Sequence, residues 1–166
     1  LQGEMQAFYL KLRTKLNSEQ NSELSQLISA ARSSMHAVKS VKDIGTNITN
    51  LSHSSKDIKY QFFLHHKNET QNLYAKLNTF LIKKELTNSQ ELEMLFDTIQ
   101  KNYTTALNTF YTEVQLTTVE SIDITTVINF NRELFTSNKA MLMAVKDVLL
   151  DEKNAQNFNE IPIYKT

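Results

Sequence analysis

The chain has 166 residues, enough for one domain with a buried core, and it holds two glycines, one proline, no cysteine and no tryptophan. So few backbone punctuators exclude an all-β chain and point to long helices, and the lack of cysteine excludes disulfides and thiolate metal sites. Lys plus Arg and Asp plus Glu both number 18, so there is no net basic excess of the kind a nucleic-acid binder carries. No apolar run approaches the roughly 18 residues that a membrane span needs.

Apolar spacing predicts five helical segments. The first runs from about Glu4 to Leu16, with Met5, Phe8, Tyr9, Leu12 and Leu16 on one face. Asn17 or Ser18 then supplies a cap for a second helix from about Glu19 to Ser52. Its predicted seam is Leu24, Ile28, Ala31, Met35, Val38, Val41, Ile44 or Gly45, Ile48 and Leu51. At ~1.5 Å per residue it would be roughly 50 Å long, and the polar run His53-Ser54-Ser55 ends it.

The third segment spans about Lys56 to Glu85, with Phe62, His66, Glu69, Leu73, Leu77 and Phe80 near one face. Thr87-Asn88-Ser89 is a cap signal for the fourth, whose stripe is Leu92, Leu95, Phe96, Ile99, Tyr103, Leu107 and Phe110. This helix is expected to end between Gln115 and Glu120. Ser121 or Asp123 caps the fifth, which carries Ile124, Ile128, Asn131, Phe135, Asn138, Leu142, Val145 and Leu149. Stripes this long, joined by short turns, can be hidden only against each other, so the expected fold is all-α, an antiparallel bundle of long helices over residues 1–153. Residues 154–166 read as a polar C-terminal tail, a mobile terminus or a packed strap, containing Ile161-Pro162-Ile163-Tyr164. The start at Leu1-Gln2-Gly3 looks like a cut from a longer polypeptide.

Two stretches carry a family resemblance: RSSMHAVKSVKDIGTNI, Arg32 to Ile48, and NFNRELFTSNKAMLMAVKDVLL, Asn129 to Leu150. Together they resemble the PhoU-like domain that follows the membrane part of bacterial Na+/phosphate cotransporter family proteins. The groups Asn131-Arg132-Glu133 and Ser137-Asn138-Lys139-Ala140, followed by Ala144, Lys146 and Asp147, are the most specific. The resemblance implies a PhoU-like bundle on the cytoplasmic side of the inner membrane, a soluble domain with a regulatory role. Its implied partner is the upstream transmembrane transporter domain of the same polypeptide, and a second copy of the chain is a further candidate. The PhoU signature sets a Glu and an Asp around an Ile-Gly pair, where they line a multinuclear metal site. Here Ile44-Gly45 matches the pair, but Lys42 and Thr46 stand at the carboxylate positions. A protonated Lys cannot ligate a hard cation and Thr is a weak neutral ligand, so no cofactor is expected.

Several constellations have both a binding and a structural reading. His65, His66 and Glu69 meet at i, i+3 and i+4 on one helix and form the best metal-like group, although zinc would need ligands from a second helix. Asp147 and Asp151, four apart, are a weaker ion pair of ligands. Arg32, His36 and Lys39 make a basic stripe on the second segment, and Arg132, Lys139 and Lys146 repeat at heptad spacing on the fifth. Facing one cleft, these stripes would bind an anion or an acidic partner; on solvated faces they would only pair with neighbouring carboxylates. Asn131 and Asn138 fall on an apolar seam, where an Asn either fixes helix register or contacts a ligand. Nucleophilic catalysis has no support, since there is no cysteine, no Gly-rich phosphate loop and no glycine-flanked serine.

The sequence therefore predicts a non-catalytic regulatory and partner-binding bundle, with Arg32, His36, Lys39, Asn131, Arg132, Asn138 and Lys139 as its anion- or partner-binding residues. A metal-binding PhoU-type module using His65, His66 and Glu69, and a helical ligand-sensing domain of a receptor, are the alternatives.

Overall fold

The structure is a computed structural model, and it describes residues 2–55, 57–83, 89–114 and 121–160. Among the described residues every regular element is a helix: α1 (Gln2–Arg13), α2 (Ser18–Asp43), α3 (Gly45–Ser52), α4 (Asp57–Lys83), α5 (Gln90–Val114), α6 (Ser121–Leu149) and α7 (Glu152–Glu160). Local signals set most of these boundaries. Asn17 caps α2 through a reciprocal box, its Oδ1 accepting from Gln20 N–H at 2.9 Å while its own N–H donates to Gln20 Oε1 at 3.2 Å. Ser89 sits ahead of α5, where its carbonyl accepts the Glu93 N–H at 3.0 Å. Thr87, Asn88 and the predicted end at 115–120 lie outside the described residues.

The predicted second helix divides at Ile44 into α2 and α3. The Ile44 backbone (φ −99°, ψ 12°) leaves the helical basin just before Gly45, the least helix-favouring residue of the stretch. Ile44 itself is buried.

The long helices alternate in direction. Hydrogen bonds from Ser29 to Asp147 and Asn47 to Thr126 show that α2 and α3 run antiparallel to α6, and Ser22 near the start of α2 bonds Glu152 at the start of α7. Phe62 touches Phe110 on α5 and Phe130 on α6, while Glu69 meets Asn102 and Thr70 meets Asn138. So α4 runs antiparallel to α5 and parallel to α6. Helix α6 packs against α2, α3, α4 and α5 and is the central element. It buries residues on several faces, among them Val127, Phe130, Leu134, Ser137, Leu142 and Ala144. A single seam was the wrong expectation for it, because with neighbours on several sides it buries more than one face, polar residues such as Asn131 and Ser137 included.

The seam predicted for α2 is also corrected. The residues buried against α6 are Ala30, Ala37 and Ser40, one position away from the predicted Ala31, Val38 and Val41. Val38 is 64% exposed. Small side chains let the two backbones approach closely, and Ser137 Oγ reaches across to donate to the Ala37 carbonyl at 2.9 Å, fully buried.

The apolar interior falls into two clusters. One gathers Ile44, Leu51, Phe62, Ala106, Phe110, Val127, Phe130 and Leu134. The other gathers Leu73, Leu77, Leu92, Leu95, Phe96, Ile99, Leu142 and Val145 with Ala155 and Phe158. Part of the expected tail is therefore core. Residues 152–160 form α7, capped by Asp151, whose Oδ1 accepts the Asn154 N–H at 2.8 Å, and its Phe158 is fully buried. Residues 161–166, including Ile161-Pro162-Ile163-Tyr164, lie outside the described residues.

Candidate functional site

Between the two apolar clusters lies a polar layer built by α4, α5 and α6. A cavity of about 30 Å³ is lined there by His66, Glu69 and Thr70 of α4, Asn102 and Tyr103 of α5, and Asn131 and Asn138 of α6, with apolar walls. Helical spacing explains the convergence. His66, Glu69 and Leu73 share one face of α4, and Asn131 and Asn138 are two turns apart on α6.

The layer is partly satisfied from within. Asn102 Nδ2 donates to Glu69 Oε2 at 2.6 Å, Asn131 Nδ2 donates to the Tyr103 carbonyl at 3.0 Å, and Asn138 Nδ2 reaches Thr70 Oγ1 at 3.4 Å. Three buried polar atoms of the cavity lining have no protein partner: His66 Nε2, Asn131 Oδ1 and Asn138 Oδ1. Asn131 is 1% and His66 5% exposed. The His66 ring stands edge-on to Phe62 at 4.5 Å and Phe130 at 5.5 Å. Burial in this apolar collar, with a smaller contribution from the charge of His65, pushes its pKa down from 6.5 to about 4. His66 is neutral at pH 7.

The structure brings together His66, Glu69, Asn131 and Asn138 among the residues singled out from sequence. It separates the others. His65 is exposed; its ring stands edge-on to His66 at 5.4 Å but lines a neighbouring groove with Ile58, Gln61, Thr105 and Thr109 and is not in the cavity lining with Glu69. Among the described residues no group of three or more His, Asp or Glu is placed to hold a metal ion. Asp147 accepts from Ser29 at 2.6 Å and pairs with Lys146 at 2.9 Å, while Asp151 caps α7, so the two carboxylates serve different partners.

The two basic stripes do not form the walls of one cleft. Lys139 Nζ lies 5.4 Å over the Phe96 ring of α5. Lys146 is buried, donating to Asn159 Oδ1 of α7 at 2.7 Å. Arg132 is exposed and pairs with Glu133 at 3.3 Å. Arg32, His36 and Lys39 are exposed on the outer side of α2, with Lys42 and Thr46 beyond them. Beside them runs the stripe first expected to be the seam: Val38 is more than half exposed, Val41 is exposed, and Leu24, Ile28, Ala31 and Met35 are half-buried; Leu27, outside that expected seam, is also more than half exposed. Helix α2 thus carries a small-residue face turned to α6 and a large-residue apolar face open at its middle, flanked by basic groups.

Thr70, Asn102 and Ser137 were missed from sequence as polar partners of the interior. Asn102 carried the same signal as Asn131, a polar residue within the apolar stripe between Ile99 and Ala106. No family model, no curated protein and no solved structure matches the chain.

Proposed function

We propose that this chain is a non-catalytic interaction domain, the PhoU-like regulatory part of a Na+/phosphate cotransporter-like membrane protein. It would act on the cytoplasmic side, in phosphate transport or its control, by contact with the transmembrane part of the same polypeptide. The observation that carries the reading is the outer face of α2. Leu27, Val38 and Val41 are exposed large apolar residues on one helix, and Arg32, His36 and Lys39 are exposed on the far side of the half-buried Leu24, Ile28 and Met35. Exposed Glu23 and Asp43 lie toward the two ends of the helix, so the basic groups concentrate at its middle, where an apolar stripe beside them fits a partner segment that offers an apolar face and acidic neighbours. The identity of that partner rests on the resemblance of Arg32–Ile48 and Asn129–Leu150.

The test is sodium-dependent phosphate uptake by the full-length polypeptide carrying Val38→Glu with Lys39→Glu. Both side chains are exposed, so the helical circular-dichroism signal of the domain should be unchanged while uptake or its regulation by phosphate changes severalfold. Uptake and regulation identical to the parent protein would remove the reading.

A further inference from the structure

The polar layer separates the two apolar clusters and holds buried polar atoms that have no protein partner. The Nδ2 group of Asn131 is spent on the Tyr103 carbonyl and that of Asn138 faces the Thr70 hydroxyl, so both amides turn a carbonyl oxygen into the cavity with no partner. Glu69 has one oxygen engaged by Asn102 and lines the same space. The free acceptors of the lining are two amide oxygens and the carboxylate, while the Thr70 hydroxyl, which already accepts from Asn138, and His66 Nε2 can each serve as donor or acceptor. Leaving such atoms buried and unpartnered is unfavourable.

An anion would meet the oxygen lone pairs of Glu69 on α4 and of Asn131 and Asn138 on α6, which disfavours phosphate in this cavity. A volume of about 30 Å³ admits a body of about the size of a water molecule or two, which excludes an organic ligand. Hard oxygen donors favour a hard cation over a thiophilic or imidazole-seeking metal. Glu69 is the one carboxylate in the lining and His66 is neutral, so a single positive charge balances the site, whereas a divalent ion would leave a buried surplus.

We propose that the layer formed by Glu69, Thr70, Asn131 and Asn138 binds one monovalent hard cation, which ties α4 to α6 across the middle of the bundle. This site is independent of the α2 face. The cation joins the two apolar clusters through charge-balanced contacts, and the layer becomes a point at which ionic conditions alter bundle stability.

The experiment measures the melting temperature of the purified chain in NaCl, KCl and choline chloride at equal ionic strength, so that general screening is held constant. The proposal expects Tm in sodium or potassium to exceed that in choline by about 3 °C or more near saturation. Glu69→Gln, which keeps the shape and an acceptor for Asn102 but removes the charge, should abolish the difference between salts. Asn138→Ala removes one half-buried acceptor and no charge, and it should reduce the difference even if Glu69→Gln fails to fold. Equal Tm values in all three salts would mean that water alone fills the cavity and would overturn the proposal. A rise given only by Mg²⁺ or Ca²⁺, or a salt difference that survives in Glu69→Gln, would overturn it as well.

Discussion

Two side chains concentrate the chemistry of the interior, and each makes a measurable demand. His66 is held neutral by burial among Phe62 and Phe130, with a folded pKa of about 4 against 6.5 for the free side chain. As pH falls, the unfolded chain takes up the proton first. The stability that rests on neutral His66 is therefore complete above about pH 6.5 and is lost as pH drops toward 4, by about 3 kcal/mol over the whole window. Urea denaturation at a series of pH values should show this slope, and His66→Gln should flatten it; equal slopes in both proteins would mean that His66 is not held neutral. Asn131, itself buried, is bonded through Nδ2 to the Tyr103 carbonyl at 3.0 Å. Asn131→Ala leaves that carbonyl without its side-chain donor and should reduce the unfolding free energy by roughly 1–3 kcal/mol, read from the urea midpoint. Both residues were visible in the sequence as polar positions on apolar stripes. What the sequence could not give was their convergence, because the register of α4 against α6 is set by packing of Phe62 on Phe130 and of other residues far apart in the chain.

At the scale of elements, α2 is the instructive case. Its row of large residues, Leu24, Ile28, Met35, Val38 and Val41, reads as a core seam, yet α6 takes the neighbouring column of Ala30, Ala37 and Ser40. Apolar spacing ranks residues by hydrophobicity and has no means to recognise that small residues permit a closer approach of two backbones. The two columns should respond oppositely to substitution. Ala37→Leu forces bulk into the α2–α6 contact and should destabilise the chain by about 1–3 kcal/mol. Val38→Ala, at an exposed position, should stay within about 0.5 kcal/mol. Matching melting curves for these two variants would contradict the close contact. Gly45 offers a third measurement. A Cβ there meets nothing within 4 Å, and the backbone is not in the left-handed region, so neither space nor conformation requires glycine. Gly45→Ala should stabilise by about 0.5–1 kcal/mol through helix propensity and a less flexible unfolded chain. An unchanged or lowered Tm would show that the Ile44–Gly45 break serves the fold.

For the whole molecule, the all-helical bundle followed from few glycines, one proline and long apolar stripes, which leave helices no surface to bury except one another. The segment after Asp151 was harder to read, because in Glu152–Glu160 only Ala155 and Phe158 are buried and the rest of the described side chains are polar. Two apolar contacts within nine residues make too weak a period to mark a core helix. The basic residues of α6 were misjudged for a related reason: Lys146 and Lys139 look like a solvent stripe until α7 and Phe96 are placed against them. The outer face of α2 is one of the apolar surfaces left open among the described residues, and its contact with a partner is the central claim. It is tested most directly by placing a photo-crosslinking amino acid at Val38 in the full-length polypeptide in its native membrane, with Ala37 as the buried control. The account predicts a strong crosslink from position 38 to the transmembrane part of the same polypeptide and none to it from position 37. A position 38 that captures no segment of that part would contradict it.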